Sequence, residues 1–280
     1  MAVIGVGMIG GSVAGALRAH AACAEVVGYS PAPDGERALE LGLIDRLAAS
    51  VPDAVERAER VVIAAPIPAI PGVMRAMVPA LRSDALITDC ASSKRSVIAA
   101  AERELGPAFE RFLPGHPIAG SERNGPDAAR MGLFQGKRWL FCPVNSAQAQ
   151  WCDSWRQLLG VTGARFSEID PDLHDRVFAE VSHWPHALAF AMGAAIARGE
   201  LADHAVNFAG AGLRDTSRIA ASPAELWAGI LLDNVGPVLE SAGRFRDELD
   251  RMMDALERRD RSALVEILDA SSRWRRRIVD

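Results

Sequence analysis

Three glycines that follow the first short apolar run restrict the fold of this chain more than any other feature. Residues 2–4 are Ala-Val-Ile, which have the length and character of a buried strand. They are followed by Gly5, Gly7 and Gly10 in the spacing GxGxxG. In such a turn the first glycine allows the tight bend, the second lets backbone approach a ligand, and the third packs helix against strand. The pattern predicts a strand, a turn and a helix whose N-terminus can hold a pyrophosphate.

Strand and helix patterns then alternate as far as residue 170. The strand-like runs are "AEVVGYS", "ERVVIAAPIP", "ALITDC", "FLPGHP", "RWLFCPV" and "ARFSEI". Helical spacing of apolar residues separates most of them. Because alternating strands and helices form parallel sheets with right-handed crossovers, we expect an α/β fold. The predicted architecture is a Rossmann-type doubly wound parallel sheet over residues 1–170.

After Pro171 the strand signal disappears and helical patterns replace it. Residues 222–257 and 260–278 in particular show the spacing of helices. These helical faces are too apolar for an isolated solvated bundle, so some should pack against the first domain or a second subunit. The expected domains are a dinucleotide-binding domain over 1–170 and an all-α domain over 171–280.

Composition argues against several classes of partner. The 280 residues carry a formal net charge of −5, and the four cysteines are dispersed without a C-x-x-C pair. An acidic chain gives no reason to expect nucleic-acid binding. Dispersed cysteines argue against a disulfide framework or a thiolate zinc site, and no apolar run reaches membrane-spanning length. We expect a cytoplasmic protein that binds a small molecule, and no metal, nucleic acid or membrane.

The end of the second strand bears on the choice of cofactor. A carboxylate there binds the ribose 2′-hydroxyl of NAD, whereas a nearby arginine accommodates the 2′-phosphate of NADP. This chain has Ser30 instead, followed by proline, and Asp34 is close enough in sequence to replace the missing acid. The sequence therefore leaves NAD and NADP open. The candidate cofactor-binding residues are Gly5, Gly7, Met8, Ile9, Gly10, Ser30, Ala65 and Pro66.

His116 stands in "GHPIAGSE", residues 115–122, where no helix or strand periodicity requires an imidazole. A lone histidine can be a core residue, a metal ligand or a base, so the rest of the chain must decide. Four further stretches carry groups capable of chemistry: "TDCASSKR", "HDRVFAEVSHWPH", "GLRDTSRIAASP" and "ELWAGILLDN". The first follows a parallel strand, so its residues should lie at the carboxyl edge of the sheet, where ligands bind.

Each of these stretches also has a purely structural interpretation. His183 and His186 could be core or interface histidines. With Asp175 or His174 they could also bind a metal, although no spacing here is diagnostic of zinc. Asp215 and Arg218 are three residues apart and could form a surface pair on a helix. Trp227 could be a core residue.

Together with the glycine turn, these stretches resemble the prephenate/arogenate (cyclohexadienyl) dehydrogenase family of tyrosine biosynthesis. The resemblance runs in matching order from Val3 to about Asn234, and "GHPIAGSE", "SHWPH" and "DTSRIA" are its specific parts. It implies a Rossmann-type domain followed by a helical substrate and dimerisation domain, and hence a homodimer. It also implies NAD(P)-dependent oxidative decarboxylation of prephenate to 4-hydroxyphenylpyruvate, or of arogenate to tyrosine.

The resemblance assigns roles to individual residues. It makes His116 the base or hydrogen-bond partner of the substrate's ring hydroxyl, a task that suits a neutral imidazole, and Ser92 the residue that orients it. It matches Arg218 to the arginine that holds a substrate carboxylate through its planar fork of donors. The other substrate-site candidates are His183, His186, Trp227, Glu122, Asp215 and Lys94. Because Lys94 stands in a chain that otherwise uses arginine except at Lys137, its compact ammonium could neutralise a carboxylate or anchor the loop.

Two other functions fit parts of the sequence. A β-hydroxyacid-type dehydrogenase would share the architecture but would place a catalytic lysine on the helix that joins the domains, where this chain has histidines. A non-catalytic NAD(P)-binding sensor would have no use for His116, Ser92 and Arg218 together. Between the two family substrates we expect prephenate, with Asp233 and Asn234 in the region that would distinguish its keto group from an amino group.

Overall fold

The computed structural model describes residues 1–120 and 123–278, and a parallel sheet of six strands forms its centre. The strand order is β3-β2-β1-β4-β5-β6, so the order reverses between the neighbouring strands β1 and β4. A ligand crevice forms at such a reversal. The strands are β1 (Ala2–Ile4), β2 (Val27–Tyr29), β3 (Arg46–Leu47), β4 (Arg60–Ile63), β5 (Leu86–Asp89) and β6 (Phe112–Leu113). The predicted doubly wound sheet is confirmed.

Helices follow most of these strands and cover the sheet. They are α1 (Met8–Ala19), α2 (Asp34–Glu40), α3 (Val51–Val55), α4 (Ile70–Met77), α5 (Arg95–Leu105), α6 (Ser146–Ala149) and α7 (Cys152–Leu159). Short 3-10 helices occupy Ile67–Ala69, Val78–Ala80, Gly106–Arg111, Pro126–Ala128 and Gly160–Thr162. Adjacent residues of a strand bury their side chains on opposite faces, as Val3 and Ile4 do in two separate cores. Both faces of the sheet are therefore covered, which explains the continuous apolar strands.

The strand that carries His116 belongs to a second sheet, which corrects one expectation. The run "FLPGHP", predicted as one strand of the parallel sheet, divides at Pro114. Because proline has no N–H to give to a ladder, β6 ends before it and β7 (Gly115–Pro117) begins after it. β7 pairs antiparallel with β8 (Arg138–Phe141), which pairs in parallel with β9 (Arg165–Glu168).

Helices make up the chain from Pro171 onward, as predicted. They are α8 (Pro171–Phe178), a π-helical turn (Ala179–His183), α9 (Trp184–Ala197), α10 (Ala202–Asn207), α11 (Ala211–Ser217), a 3-10 helix (Arg218–Ala221) and α12 (Ala224–Asp233). Pro185 cannot donate an N–H to the carbonyl of Val181, and the helix widens into a π turn just before it. That turn carries His183. No helix in residues 1–120 and 123–278 is long and apolar enough to span a membrane.

The predicted helix over 222–257 is interrupted at Asn234. Pro237 has no N–H for the carbonyl of Asp233, so the helix cannot continue without a break. By compactness the chain divides at the same point, into Met1–Asn234 and Val235–Asp280. Within its described part, the second unit consists of α13 (Val235–Glu257) and α14 (Arg261–Arg275), which pack against each other. The predicted domain division at residue 170 coincides with the change from strands to helices and lies inside the first unit.

Candidate functional site

The glycine turn after β1 leaves space for a ligand where a side chain would fill it. Gly5 has a φ of +93°, and a Cβ there would lie 2.5 Å from the carbonyl oxygen of Ala64. A Cβ on Gly10 would lie 1.8 Å from the carbonyl oxygen of Gly5, so this residue allows α1 to approach the turn. A Cβ on Gly7, in contrast, would meet nothing within 4 Å. Two glycines therefore serve close packing, and the third faces open space.

The other cofactor candidates surround this space. Met8 and Ile9 begin α1, whose N-terminus has no side-chain cap. Ala65 follows β4, and a Cβ on Gly5 would lie 2.8 Å from its backbone nitrogen, so the two loops are in contact. Pro66 continues this second loop. The arrangement fits a dinucleotide, because an uncapped helix N-terminus beside a glycine turn attracts a pyrophosphate.

Ser30 supports the glycine turn from the end of β2. Its hydroxyl oxygen accepts a hydrogen bond from the backbone N–H of Val6 at 3.1 Å. The serine follows β2, at the strand end where a carboxylate faces the ribose in dinucleotide-binding folds. Its side chain adds no charge that would favour either NAD or NADP.

His116 is the first member of a chain of hydrogen bonds that runs away from the sheet edge. Its Nδ1 lies 2.8 Å from Nε2 of His174, and Nδ1 of His174 lies 2.8 Å from Oδ1 of Asp175. The Asp175 carboxylate also accepts the backbone N–H groups of Lys94 and Arg95, at 2.8 and 3.0 Å. Asp175, on α8, therefore caps the N-terminus of α5, where negative charge is favourable.

The Asp175 carboxylate fixes the direction of these hydrogen bonds. Burial alone would raise the pKa of the Asp175 carboxyl, but hydrogen bonds from His174 and from two backbone N–H groups outweigh it and lower the pKa. An ionised carboxylate only accepts, so His174 carries its proton on Nδ1 and its Nε2 must accept. His116 then donates from Nδ1. Its Nε2 carries the lone pair and has no hydrogen-bond partner among the described residues.

Burial keeps these imidazoles neutral. It is the largest cause that holds the pKa of His116 well below its usual value, and positive charge on His174 and Lys94 acts in the same direction. Burial also lowers the pKa of His174, although the bond to Asp175 opposes it. Phe178 packs against both rings, with centroid distances of 4.8 and 4.5 Å. The result is an oriented, unprotonated nitrogen, which is what a general base requires.

The structure corrects the assignment of Lys94 to the substrate site. Its side chain is fully buried, and its ammonium donates to the carboxylate of Asp89 and to the carbonyl of Gly115. The other oxygen of Asp89 accepts the backbone N–H of Gly115 at 2.9 Å. The ion pair therefore anchors the strand that carries His116 to the end of β5, and its ammonium is not available to a ligand. Of the two roles considered for Lys94, the structure supports the anchor.

Ser92 is not the residue that orients His116 in this structure. Its half-buried hydroxyl forms no hydrogen bond with any described residue, and His174 occupies the place of the expected partner. The neighbouring serines have other contacts, because Asp233 accepts hydrogen bonds from the hydroxyls of Ser93 and Ser96. Asp233 is therefore engaged by the loop after β5.

Asn234 fixes the orientation of His183. Its Nδ2 donates to the carbonyl of Asp175 at 2.8 Å and lies 3.0 Å from Nδ1 of His183. Because that nitrogen of Asn234 is a donor, Nδ1 of His183 accepts and the proton of the neutral ring lies on Nε2. This Nε2 is buried and has no hydrogen-bond partner within residues 1–120 and 123–278. Burial outweighs the charge of Asp175 and lowers the pKa of His183 to about 4, so the ring is neutral near pH 7.

His186 and Trp227 form an aromatic wall. Their rings stack with centroids 3.4 Å apart, and the Nδ1 of His186 donates to the carbonyl of Ser182 at 2.8 Å. Burial lowers the pKa of His186, and the positive charge of Arg218 lowers it further despite that hydrogen bond, so Arg218 lies near this wall. Arg218 and Asp215 are exposed, and no salt bridge joins them, which argues against a simple surface pair. Glu122, the remaining candidate, lies outside the described residues.

Sequence reasoning missed Asp89 as a buried residue of the site, and it considered His174 and Asp175 only as possible metal ligands. Asp89 ends a buried parallel strand, and an acid at that position was a usable signal. The dipeptide His174-Asp175 follows a helix start marked by Pro171, but its partners are far away in the sequence. Within residues 1–120 and 123–278, no three His, Cys, Asp or Glu side chains are grouped as metal ligands.

A dinucleotide cradle next to buried neutral imidazoles defines a class, the dinucleotide-dependent oxidoreductases. Two family models match nearly the whole chain. The model described as "Prephenate dehydrogenase, nucleotide-binding domain" matches residues 13–168, and the one described as "Prephenate dehydrogenase, dimerization domain" matches residues 170–270. The chain belongs to the prephenate dehydrogenase family, as the resemblance of its motifs predicted.

Individual relatives agree with this placement. The chain is 32% identical to the cyclohexadienyl dehydrogenase of Zymomonas mobilis, over 98% of the chain and 94% of the relative. It is 31% identical to the prephenate dehydrogenase of Bacillus subtilis, over 97% and 74%. Among solved structures, Aquifex aeolicus prephenate dehydrogenase in complex with hydroxyphenyl propionate and NAD⁺ has a TM-score of 0.90 at 29% identity, with 99% and 97% covered. Synechocystis arogenate dehydrogenase has a TM-score of 0.81 at 27% identity, with 99% of each chain covered.

Proposed function

We propose that the protein catalyses the NAD(P)-dependent oxidative decarboxylation of prephenate to 4-hydroxyphenylpyruvate, with arogenate, which would give tyrosine, as the alternative substrate. The observation that carries the proposal is the oriented lone pair on Nε2 of His116, in a chain of this family that has a dinucleotide cradle. When bound, the nicotinamide accepts the hydride that leaves the ring carbon. The protein must then manage a proton, a carboxylate and the exclusion of water.

The reaction requires a group that takes up a proton and later returns it. As hydride leaves the carbon that bears the ring hydroxyl, the O–H bond breaks and a carbonyl forms. Loss of carbon dioxide from the opposite ring carbon sends its bonding electrons into the ring and onto that oxygen. The phenolate then takes the proton back. His116 suits both steps, because it is neutral before the reaction and its Nε2 carries the lone pair.

His183 and the aromatic wall would hold the substrate. The Nε2–H of His183 is a buried donor without a partner in the described part of the chain, and a substrate oxygen would satisfy it. The guanidinium of Arg218, near the stacked rings of His186 and Trp227, would bind a carboxylate. These roles combine the neutral imidazole of His183 with one cation beside the aromatic wall.

Ser92, Asp215 and Glu122 complete the proposed site. The Ser92 hydroxyl is at the carboxyl edge of the sheet and has no partner among the described residues, so it could contact the substrate. Asp215 is three residues from Arg218 and would shape access to that cation. Glu122, five residues beyond the end of β7 strand, is proposed from the resemblance of its motif.

Prephenate is the preferred substrate in this proposal. Asp233 lies in the region expected to distinguish the keto group from the amino group, and it has other hydrogen-bond partners. An acid that faced the substrate side chain would favour the ammonium of arogenate. Asp233 instead accepts two serine hydroxyls. Without the Asp233 carboxylate to pair with an ammonium group, the site should favour the keto acid prephenate.

The experiment is a turnover assay. Purified protein is mixed with prephenate or arogenate and with NAD or NADP, and nicotinamide reduction is followed together with release of carbon dioxide. We expect reduced cofactor and carbon dioxide in equal amounts, with prephenate favoured. Reduction without carbon dioxide release, or no reduction with either substrate, would contradict the proposal.

Arg218 gives the assay a variant with a distinct signature. If it holds a carboxylate in ground state and transition state alike, Arg218→Gln should raise KM about tenfold or more with a smaller change in kcat. Arg218→Lys should restore part of the loss, because a point charge replaces a planar fork. An unchanged KM in Arg218→Gln would exclude this role.

The second unit supports a homodimer. Its helices α13 and α14 expose many large apolar side chains: Leu239, Phe245, Leu249, Met253, Leu256, Val265 and Leu268. Many exposed apolar side chains on two helices are typical of an interface, and the family model that matches this region is described as a dimerization domain. We expect sedimentation at micromolar concentration to give the mass of two chains. A monomer under these conditions would contradict the proposal.

A further inference from the structure

We propose that His174 and Asp175 are positioning residues that act through His116: they hold it in the tautomer with the proton on Nδ1 and support its charge while it carries the substrate's proton. This inference rests on the proposed function, because it assigns the direction in which His116 exchanges that proton. It concerns two buried residues that bind neither substrate nor cofactor. Three elements contribute: β7 supplies His116, α8 supplies both positioning residues, and α5 supplies the backbone that anchors Asp175.

The geometry allows one direction of hydrogen bonding. The Asp175 carboxylate accepts from Nδ1 of His174, whose Nε2 then accepts from Nδ1 of His116, each at 2.8 Å. If the tautomer of His116 were reversed, two nitrogen lone pairs would face each other at 2.8 Å in a buried place. Leaving both nitrogens buried without a hydrogen bond is unfavourable, so the geometry favours the tautomer with the proton on Nδ1 of His116.

The hydrogen bonds from His116 through His174 to Asp175 also stabilise positive charge on His116. When His116 takes the proton it becomes an imidazolium in a buried position near the ammonium of Lys94. The Lys94 charge is partly balanced by Asp89, with which it pairs. Asp175 is the negative group connected to His116 through hydrogen bonds, and His174 transmits its attraction. Because His174 is neutral and polarisable along this line, it can share the Nδ1 proton of His116 without becoming charged itself.

Three hydrogen bonds fix the orientation of the Asp175 carboxylate. Its side chain accepts the N–H groups of Lys94 and Arg95 at the start of α5, in addition to His174. Phe178, one helical turn further along α8, packs on both imidazole rings. A positioning group that is anchored by backbone donors keeps the base oriented at little entropic cost.

The same residue also sets the polarity of the second imidazole. The backbone carbonyl of Asp175 accepts from Asn234, whose amide donates to Nδ1 of His183. The Asp175 side chain, acting through His174, leaves the lone pair of His116 on Nε2. Its backbone carbonyl, acting through Asn234, leaves the N–H of His183 on Nε2. A substrate hydroxyl both donates and accepts, so one acceptor and one donor match it.

The tautomers can be measured in the wild-type protein without substrate. Long-range ¹H–¹⁵N correlation spectra at pH 7.5 report which ring nitrogen of each of the six histidines carries the proton. Variants His116→Asn, His174→Gln and His183→Gln assign the three signals. We expect neutral rings with the proton on Nδ1 for His116 and His174, and on Nε2 for His183. A His116 signal with its proton on Nε2 would overturn the proposal, whatever the activity.

Two variants of His174 separate hydrogen bonding from packing. In His174→Gln the amide can donate to Asp175 and accept from His116, whereas His174→Leu can do neither. We expect His174→Leu to lower kcat on the order of 100-fold with KM changed less than about threefold, and His174→Gln to recover most of the loss. The His116 signal should show the Nδ1 proton in His174→Gln and a mixture in His174→Leu.

The outcomes distinguish this inference from the proposed function. If wild-type protein reduces no cofactor with prephenate or arogenate, the proposed function fails, and the tautomer spectra still test the hydrogen-bond chain. If wild-type protein is active and the two His174 variants lose kcat equally, packing explains the effect and the positioning role fails. If His174→Leu does not fold, the wild-type spectrum and His174→Gln remain sufficient to decide.

Discussion

The two halves of the site are built from different materials. The dinucleotide cradle consists of backbone from one short segment, in which Gly5, Gly7 and Gly10 create shape by the absence of side chains. The histidine chain, which is the series of hydrogen bonds from His116 through His174 to Asp175, consists of side chains from distant parts of the sequence. His116 and His174 are separated by 58 positions. We expect the cradle to recognise its ligand by shape and by the dipole of a helix. The histidine chain acts through the direction of its hydrogen bonds, and it fails if a single member is reversed.

This difference predicts where the structure is most fragile. The largest effect should follow the loss of the buried ion pair under the histidine chain. Lys94→Met leaves the Asp89 carboxylate buried without its partner, which should lower the free energy of unfolding by about 3–5 kcal/mol. Urea unfolding measures the change. Lys137→Met is the matched control, because Lys137 is exposed and is the chain's other lysine. Equal stability of the two variants would show that the pair is dispensable.

How much could be predicted from the sequence follows the same division. The cradle was predictable because the constraint is local: a positive φ at Gly5 and a close approach at Gly10 require glycine within ten residues. The fold class followed from alternating patterns for a similar reason. The second sheet was missed because Pro114 ends one strand and begins another, a difference that periodicity does not register.

The histidine site was only half predictable. Motifs indicated His116, His183 and Arg218 as chemical groups, but no spacing indicated that His174, and not Ser92, would bind Nδ1 of His116. Sequence reasoning left two roles open for Lys94, and its burial and its bond to the carbonyl of Gly115 support the anchor. Such contacts depend on tertiary packing and cannot be derived from one segment.

The next largest effect tests whether the histidine chain is catalytic. His116→Asn removes the Nε2 lone pair and should lower kcat by about 100-fold or more, with a smaller change in KM. Protonation inactivates a base, so the wild-type rate should fall at acidic pH. Because burial lowers the pKa of His116, this fall should lie below pH 6.5 and should be absent in the variant. His204→Asn, at an exposed position on α10, is the control. A variant that keeps a normal kcat and the same acidic fall would make His116 structural.

A smaller effect tests the cradle as a shape. Gly7 has φ −71° and ψ −155°, and a Cβ there would meet no atom within 4 Å, so Gly7→Ala should fold with an unchanged melting temperature. The added methyl group would occupy the open space and should weaken cofactor binding about tenfold, or about 1.4 kcal/mol. Titration calorimetry with NAD and NADP measures it. Gly72→Ala on α4 also meets open space but lies away from the cradle, and it should bind normally. Equal binding by both variants would place the pyrophosphate elsewhere.

The smallest expected effect concerns the choice between NAD and NADP, where the cradle depends on a side chain. Ser30 accepts the N–H of Val6 and carries no charge, so we expect modest discrimination between the two cofactors. Ser30→Asp keeps an acceptor for that N–H and adds a carboxylate that can bind the ribose hydroxyls and repel a 2′-phosphate. The ratio of kcat/KM for NAD over NADP should rise by about tenfold or less, since one charge at a partly exposed site changes binding modestly. Ser30→Ala separates the two properties, because it removes the acceptor without adding charge and should weaken both cofactors equally. If the ratio stays the same in Ser30→Asp, the end of β2 does not face the adenosine ribose. The cradle would then recognise its cofactor through backbone shape alone, whereas the histidine chain depends on the direction of side-chain hydrogen bonds.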